Sequence, residues 1–307
     1  MGPNSKVIFS INSYDYLKKN LIKTGDYEEG EVERKIFPDG ERYQRILTNI
    51  GRRNVVVIGG TISDEDTLEL YDLAYALVKN GALSLTVIMP YFGYSTMERA
   101  VKPGEIVTAK TRASLFSSLP QTSQRNRFIF LDLHSEGLPH YFEGAVVPIH
   151  VYCKPIILDT AREKGGEDFV LGCTDAGRAK WVESLANDLG VSAAFVFKRR
   201  LSGDKTEITS ISADVKNKNV VIYDDMIRTG GSLISAGRAY KEAGAEELHV
   251  ITTHGLFSAN ALTRIKNENL FKSITCTDTH PNVFQQQSKG LEVKSICNLL
   301  HHKLNEI

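Results

Sequence analysis

An internal repeat constrains the fold of this 307-residue chain more than any other feature. Residues 54–93 contain an apolar run, a segment with helical spacing and a second apolar run, and residues 219–255 repeat that order, with Leu85 corresponding to Leu248. Each apolar run has the length and the β-branched residues of a buried strand. Two copies of a strand–helix–strand unit predict an α/β fold, with a mostly parallel sheet flanked by helices in each half.

The loop of the second copy carries groups suited to a sugar phosphate. Asp224 and Asp225 follow the apolar run, and the next helix is preceded by four small residues, namely Thr229, Gly230, Gly231 and Ser232. Glycines at a helix N-terminus let backbone N–H groups approach an anion, and the two hydroxyls add donors. The aspartates could hold vicinal sugar hydroxyls or a magnesium ion. Each part alone also fits an ordinary tight turn, but the whole string favours the sugar-phosphate interpretation.

The loop of the first copy is different. Gly59, Gly60 and Thr61 stand where the second copy carries its acidic pair and its glycines. Ser63 and Asp66 resemble a capping box, which predicts that a helix begins there. We therefore expect only the second copy to hold a sugar phosphate, and the first to contribute other groups.

Chemically competent residues also follow other apolar runs. These residues are Asp132 and His134, Thr174 and Asp175, and Lys198, Arg199 and Arg200. Ligands of parallel α/β sheets bind outside the carboxyl ends of the strands, so this clustering supports a site there. Taken singly, a histidine after a strand is more often structural, and three basic residues are usually a solvated edge.

Composition excludes several classes of function. Lys plus Arg and Asp plus Glu number 37 each, which argues against nonspecific nucleic-acid binding. No apolar run is long enough to span a membrane, and the first residues lack the features of a secretory signal. The four cysteines are scattered without a CxxC pair, so neither a zinc site nor a disulfide framework is expected. A cytoplasmic location is predicted.

The domain organisation follows from the repeat. We expect an N-terminal domain at 1–151 and a C-terminal domain at 152–292, with the boundary in an extended segment near Val151 to Pro155. Residues 293–307 are expected to form an amphipathic C-terminal helix that could pack back on either domain, with the N-terminal domain as the candidate.

Seven sequence blocks resemble one family over nearly the whole chain. They are FPDGE (37–41), PYFGY with TAK (90–110), DLH (132–134), TDAG (174–177), KRR (198–200), DDMIRTGGS (224–232) and THGLFS (253–258). In this order they resemble the ribose-phosphate diphosphokinases, which make phosphoribosyl diphosphate. That resemblance implies two tandem type I phosphoribosyltransferase-like domains, in agreement with the repeat.

The resemblance also implies a reaction and its residues. The diphosphoryl group of ATP, or of another nucleoside triphosphate, would pass to the C1 hydroxyl of ribose 5-phosphate with Mg²⁺ as cofactor. Catalysis would fall to Lys198 and Arg200 on a mobile loop, and metal binding to His134 and Asp175. The sugar-phosphate residues would be Asp175, Asp224, Asp225, Arg228, Thr229, Gly230, Gly231 and Ser232. The nucleotide residues would be Phe37, Asp39, Glu41, Thr96, Met97, Arg99 and His134.

In such enzymes the residues matching Phe37, Asp39 and Glu41 reach the ATP of a neighbouring subunit, so a homo-oligomer is expected. Two other functions stay open. A non-catalytic regulatory subunit would keep the fold without turnover. A nucleobase phosphoribosyltransferase would share the second-copy chemistry but would ordinarily need one such domain, so the duplication argues against it.

Departures from the family pattern indicate a divergent member. Thr96 and Met97 replace an arginine and a glutamine that are expected to contact the nucleotide. Arg228 stands where an acidic residue usually precedes the TGG sequence, and Arg178 replaces a common second glycine after TDAG. These changes predict an altered donor choice or altered regulation.

Overall fold

The computed structural model describes residues 5–174, 176–202, 205–287 and 290–307, without the side chains of 176, 198–202 and 205–210. The chain divides into two compact units, one made of Met1–Tyr152 with Cys297–Ile307 and the other of Cys153–Ile296. Each unit is built around one six-stranded sheet.

The first unit has the sheet order β2-β1-β5-β6-β7-β8, and all of its neighbouring strands are parallel. Its strands are β1 (Lys6–Ser10), β2 (Tyr27–Glu29), β3 (Val32–Ile36), β4 (Arg42–Ile46), β5 (Asn54–Ile58), β6 (Ser84–Met89), β7 (Asn126–Leu131) and β8 (Val146–Val151). Its helices are α1 (Asp15–Ile22), α2 (Asp64–Lys79), α3 (Thr108–Ser117) and α9 (Cys297–Asn305). Strands β3 and β4 form a separate antiparallel hairpin.

The second unit has the order β10-β9-β13-β14-β15-β16, again with parallel neighbours. Its strands are β9 (Phe169–Cys173), β10 (Ser192–Ala194), β11 (Val196–Ser202), β12 (Lys205–Ile211), β13 (Asn219–Ile227), β14 (Leu248–Gly255), β15 (Ser273–Thr277) and β16 (Glu292–Lys294). Its helices are α4 (Lys154–Gly165), α5 (Ala179–Leu189), α6 (Gly231–Glu242), α7 (Ala261–Asn267) and α8 (Asn282–Gln286). Strands β11 and β12 form its antiparallel hairpin.

The two sheets have the same topology, which confirms the predicted fold class. In both units a hairpin precedes the third strand of the sheet along the chain, β5 or β13, and that strand leads through a helix to its parallel neighbour. The middle strands β5, β6 and β7 are mostly apolar because helices cover the sheet, and nearly all of their side chains are buried. Strand β14 is wholly buried although it also contains histidines and threonines. The core of the second unit includes Tyr240 of α6, whose hydroxyl lies 3.0 Å from the carbonyls of Cys173 and Ala194 and so ties that helix to the sheet.

The capping signal at Ser63 and Asp66 is confirmed, and other local residues explain where elements end. Ser63 Oγ accepts the backbone N–H of Asp66 at 3.0 Å, so the capping interaction at the start of α2 is present. Helix α2 ends at Lys79, and Gly81 follows with a left-handed φ of 87°. Asp39 and Gly40 form the turn of the β3–β4 hairpin, as expected of turn residues.

Three expectations need correction. Strand β13 does not stop at Tyr223 but includes Asp224 and Asp225, because it pairs with β14 up to Ile227. Lys198 and Arg200 do not follow a strand of the parallel sheet or lie on a loop. Their backbone belongs to β11 of the hairpin, facing Ile208 and Thr206. The C-terminal helix begins at Cys297 rather than Val293, because β16 takes the residues up to Lys294.

Helix α9 lies on the first unit. Lys6 Nζ donates to the carbonyl of Leu304 at 2.5 Å, and the hydroxyl of Tyr27 lies 2.9 Å from His301 Nδ1. Among the described residues, no helix has both the length and the apolar character required to cross a bilayer.

Candidate functional site

The turn from β13 into α6 forms an open helix N-terminus. Gly230 caps α6 with φ 79°, and a Cβ there would lie 2.6 Å from Ile265, so conformation and space both require glycine. A Cβ on Gly231 would meet nothing within 4 Å. The first turn of α6 contains no acidic residue. The positive end of the helix dipole therefore faces open space that an anion could occupy.

Neighbouring loops hold this turn in place. The backbone N–H and the Oγ of Ser258 both donate to the carbonyl of Arg228, at 2.9 and 3.1 Å. The guanidinium of Arg264 donates to the carbonyl of Thr229. The bracing loop contains Phe257 and Ala259 with positive φ, which is uncommon for residues with side chains. Strained backbone of this kind often accompanies a functional site.

The turn opens into a cavity of about 310 Å³. Its lining consists of Asp224, Met226, Ile227, Arg228, Thr229, Gly230, Gly231, Ser232, Leu233 and Ser258. The volume matches that of a small-ligand pocket. Six predicted sugar-phosphate residues thus share one cavity, with Arg228 exposed at its edge.

The aspartate pair is contacted by the residue that follows β9 and by the residue that precedes α5. Thr174 Oγ1 donates to Asp224 Oδ2 at 2.8 Å. Arg178 Nη2 donates to Asp225 Oδ2 at 2.5 Å. The side chain of Asp225 is 4% exposed and that of Arg178 is 22% exposed. Burial acts to lower the pKa of the Arg178 guanidinium, but attraction to Asp225, the hydrogen bond to Asp225 and the nearby Tyr223 and Asp224 together raise the net pKa.

These contacts determine whether a divalent cation can bind at the aspartate pair. Magnesium prefers carboxylate oxygens, yet Asp225 Oδ2 already carries a guanidinium. A divalent ion therefore does not fit at that oxygen while Arg178 is in place. Within the described parts of the chain, no three His, Cys, Asp or Glu side chains gather as a metal site. The predicted ligand Asp175 lies outside the described residues, as do the side chains of Lys198 and Arg200.

Predicted nucleotide residues of the first unit lie on two exposed segments. Phe37, Asp39 and Glu41 are exposed at the tip of the β3–β4 hairpin, where Asp39 Oδ1 accepts the backbone N–H of Glu41 at 3.1 Å. At the base of this hairpin, Glu69 Oε1 of α2 accepts from Arg34 Nε at 2.9 Å and from Gln44 Nε2 at 3.3 Å. The hairpin is thus anchored at its base and presents its tip to solvent.

Thr96, Met97 and Arg99 lie in the loop after β6. Thr96 and Met97 are exposed, and the side chain of Arg99 is 78% exposed with its Nε 3.6 Å from Glu98. The loop is fixed by its backbone, since the hydroxyl of Tyr141 donates to the carbonyl of Glu98 at 2.5 Å. An exposed apolar residue such as Met97 is available to a ligand or a partner.

His134 is half-buried in the loop that follows β7. Its neighbour Asp132 is buried with φ 37°, and the backbone N–H of Leu133 donates to His150 Nε2 at 2.9 Å. His150 on β8 therefore positions the loop that carries His134, a role that the sequence did not indicate.

Other positioning residues were also missed. The sequence indicates Thr174 only as a residue that follows an apolar run, and Arg178 only as a departure from the expected family pattern. Ser258 stands out only as part of the THGLFS block. Arg264 gave no sequence signal, because its contact with Thr229 spans 35 residues along the chain.

Comparisons with known proteins identify two family domains in this chain. Residues 6–119 match the family model described as the N-terminal domain of ribose phosphate pyrophosphokinase, and residues 152–289 match a phosphoribosyl transferase domain. A ribose-phosphate pyrophosphokinase of Synechococcus elongatus is 30% identical over 95% of this chain and 88% of that protein. A chloroplastic one of Spinacia oleracea is 33% identical over 95% of this chain and 74% of that protein.

The fold has a close structural counterpart. The crystal structure of phosphoribosylpyrophosphate synthetase from Mycobacterium smegmatis superposes with a TM-score of 0.86, at 24% identity and with 98% of each chain covered. This structural likeness supports the fold, whereas the two sequence relatives show the family. Together with the repeated topology, they establish that the chain belongs to the ribose-phosphate pyrophosphokinase family.

Proposed function

We propose that this protein transfers the diphosphoryl group of ATP, or of another nucleoside triphosphate, to the C1 hydroxyl of ribose 5-phosphate. The products would be phosphoribosyl diphosphate and AMP. The observation that carries the proposal is the open N-terminus of α6 beside Asp224, in a cavity of about 310 Å³. Family membership supports the same reaction.

The proposed binding of ribose 5-phosphate uses both ends of this cavity. The backbone N–H groups at the start of α6 and the hydroxyls of Thr229 and Ser232 would hold the 5-phosphate. Asp224, which lines the cavity, and its neighbour Asp225 would accept hydrogen bonds from the ring hydroxyls. Arg228, at the edge of the cavity, would add a positive charge near the phosphate.

In the proposed reaction the C1 hydroxyl loses its proton to bulk water and its oxygen forms a bond to the β-phosphorus of the donor, while the bond between that phosphorus and the α,β-bridging oxygen breaks. AMP leaves with the electron pair. Lys198 and Arg200 are proposed to stabilise the charge that develops on the diphosphoryl group. We also propose Mg²⁺, with His134 and Asp175 as ligands, as the cofactor that neutralises the polyphosphate.

Product analysis tests this proposal directly. Purified protein with Mg²⁺, ribose 5-phosphate and ATP is expected to release AMP and phosphoribosyl diphosphate in equal amounts. Asp224→Asn, which keeps the size of the side chain but removes its charge, is expected to lower turnover. Asp214→Asn is the matched control, because Asp214 only accepts a local backbone N–H from Lys216. Absence of both products with several nucleoside triphosphates would contradict the proposal.

The exposed loop at Thr96 and Met97 offers a test of donor binding. If this loop contacts the donor, Thr96→Arg combined with Met97→Gln is expected to tighten ATP binding by about 10-fold, since a cation and an amide would be added. Titration of ATP into each protein measures the change. Unchanged nucleotide affinity would show that the loop does not contact the donor.

A regulatory role is the second candidate, supported by the exposure of Thr96 and Met97. It predicts no turnover alone but an altered rate when the protein is mixed with an active relative. Self-association is proposed for both functions, because the hairpin exposes Ile36 to 77% and Phe37 to 45%. Light scattering of the purified protein measures it, and a monomer at working concentration would contradict it.

A further inference from the structure

The ion pair of Arg178 and Asp225 lies at the sugar end of the proposed site. The two side chains meet at 2.5 Å, with 22% and 4% of their surfaces exposed. They are 47 residues apart along the chain, so the pair exists only in the folded unit.

The position of Arg178 is unfavourable for the helix that it precedes. Arg178 is the N-cap residue of α5, makes no capping hydrogen bond with its side chain and is followed by no acidic residue in the first turn. A cation at a helix N-terminus is repelled by the helix dipole. The stability of α5 therefore does not explain an arginine at this position, whereas the ion pair with Asp225 does.

The aspartate pair needs positive charge. Asp224 and Asp225 are adjacent in β13, and Asp225 is buried. A buried carboxylate beside another is costly unless a cation or several hydrogen bonds compensate it. Divalent ions commonly fill that role for paired carboxylates. Here the guanidinium supplies the charge, and it is also attracted by Asp224.

We propose that Arg178 is a built-in counter-cation of the aspartate pair, so that this unit binds the sugar of ribose 5-phosphate without a divalent ion at Asp225. The inference rests on the proposed function and deepens it, because it makes Arg178 the residue that sets the metal dependence of sugar binding. Arg178 acts through Asp225 and is a positioning residue.

The first experiment needs no sugar. Thermal unfolding of the second unit is followed by the fluorescence of Trp181, the single tryptophan of the chain, in MgCl₂ or in EDTA at equal ionic strength. Arg178→Ala is expected to lower the midpoint in EDTA, and Mg²⁺ is expected to restore it by about 3 °C or more by binding the exposed carboxylates. The wild type is expected to unfold at the same temperature in both buffers.

Controls separate this role from a general loss of an arginine. Arg238→Ala removes a guanidinium of the same unit that pairs with Glu268 at 2.6 Å, and it is expected to show no response to Mg²⁺. Arg178→Lys keeps a cation and is expected to resemble the wild type. Arg178→Ala combined with Asp225→Asn removes both charges, so its midpoint is expected to recover without Mg²⁺, even if the single variant does not fold.

The second experiment measures binding of ribose 5-phosphate by calorimetry in the same buffers. The wild-type Kd is expected to change by less than about 3-fold between MgCl₂ and EDTA, and that of Arg178→Ala to rise about 10-fold or more in EDTA. Loss of wild-type binding in EDTA, or binding only after Arg178 is replaced, would overturn the inference. An unfolding midpoint of Arg178→Ala that is the same in MgCl₂ and in EDTA would also overturn the inference. If neither the wild type nor Arg178→Ala binds ribose 5-phosphate, but the unfolding midpoint of Arg178→Ala rises with Mg²⁺, the proposed function fails while the counter-cation role stands.

Discussion

The two units make the same turn from a strand into a helix with opposite chemistry. In the first unit Ser63 caps α2, and Asp64, Glu65 and Asp66 fill its first turn. In the second unit Gly230 caps α6, and no acidic residue follows. The first helix thus satisfies its positive end from its own chain, whereas the second leaves that end for an external anion.

Glycines serve different purposes in the two turns. A Cβ on Gly60 would lie 2.2 Å from the hydroxyl of Tyr14, which is fully buried, so this glycine makes room for the protein's own core. A Cβ on Gly231 would meet only open space. One topology therefore yields a packed turn and an open one, and the difference lies in a few side chains rather than in the fold.

The largest expected effect concerns the hairpin of the second unit. Lys198→Ala in β11 is expected to lower turnover by about 10³-fold with little change in ribose 5-phosphate binding, because it would remove the charge that we propose to stabilise the transition state. Lys35→Ala in β3 is the matched control, since Lys35 makes an exposed ion pair with Glu33 at 2.6 Å. Steady-state kinetics measures both, and impaired binding with intact turnover at saturation would contradict the assigned role.

A smaller effect is expected when an acidic residue is placed in the first turn of α6, as in α2. Ser232→Asp places a carboxylate in the first turn of α6, where it would repel a phosphate, and the Kd for ribose 5-phosphate is expected to rise about 100-fold. Ser232→Asn has nearly the same shape without the charge and is expected to raise it by less than about 10-fold. Equal Kd values for the two variants, measured by calorimetry, would show that the phosphate does not bind at this helix.

Replacing the capping glycine is expected to reduce stability. Gly230→Ala forces a side chain into the left-handed region and against Ile265, and should destabilise the second unit by about 2 kcal/mol. Gly231→Ala has free space and should change the free energy of unfolding by less than about 0.5 kcal/mol. Denaturant unfolding monitored at Trp181 measures both. Similar midpoints for the two variants would mean that Gly230 is not under steric constraint.

The smallest effect is expected in the first unit. Ser63→Ala removes the acceptor for the Asp66 N–H and should reduce the local stability of α2 by about 1 kcal/mol. Hydrogen exchange of the α2 amides measures this change, and Ser63→Thr, which keeps the hydroxyl, should preserve protection. Ribose 5-phosphate binding should be unaffected. Weaker binding of ribose 5-phosphate by Ser63→Ala would contradict the difference in role between the two turns.

Local features could be predicted because they depend on residues close in sequence. The spacing of apolar residues indicated the strands and helices, Ser63 and Asp66 indicated the start of α2, and the glycines after Asp225 indicated an open turn. The order of these elements was enough to predict two parallel sheets, since successive strands joined by a helix pair in parallel.

Tertiary pairing decided the rest. Strand β13 extends through Asp225 because β14 offers hydrogen-bonding partners up to Gly255. Arg178 neutralises Asp225, and Arg264 braces Thr229, through contacts that span 47 and 35 residues. Neither contact has a local signature, because a charged side chain finds its partner only after the sheet has brought distant segments together. The sequence therefore predicted where a sugar phosphate could bind, and the folded unit placed the Arg178 guanidinium beside Asp225.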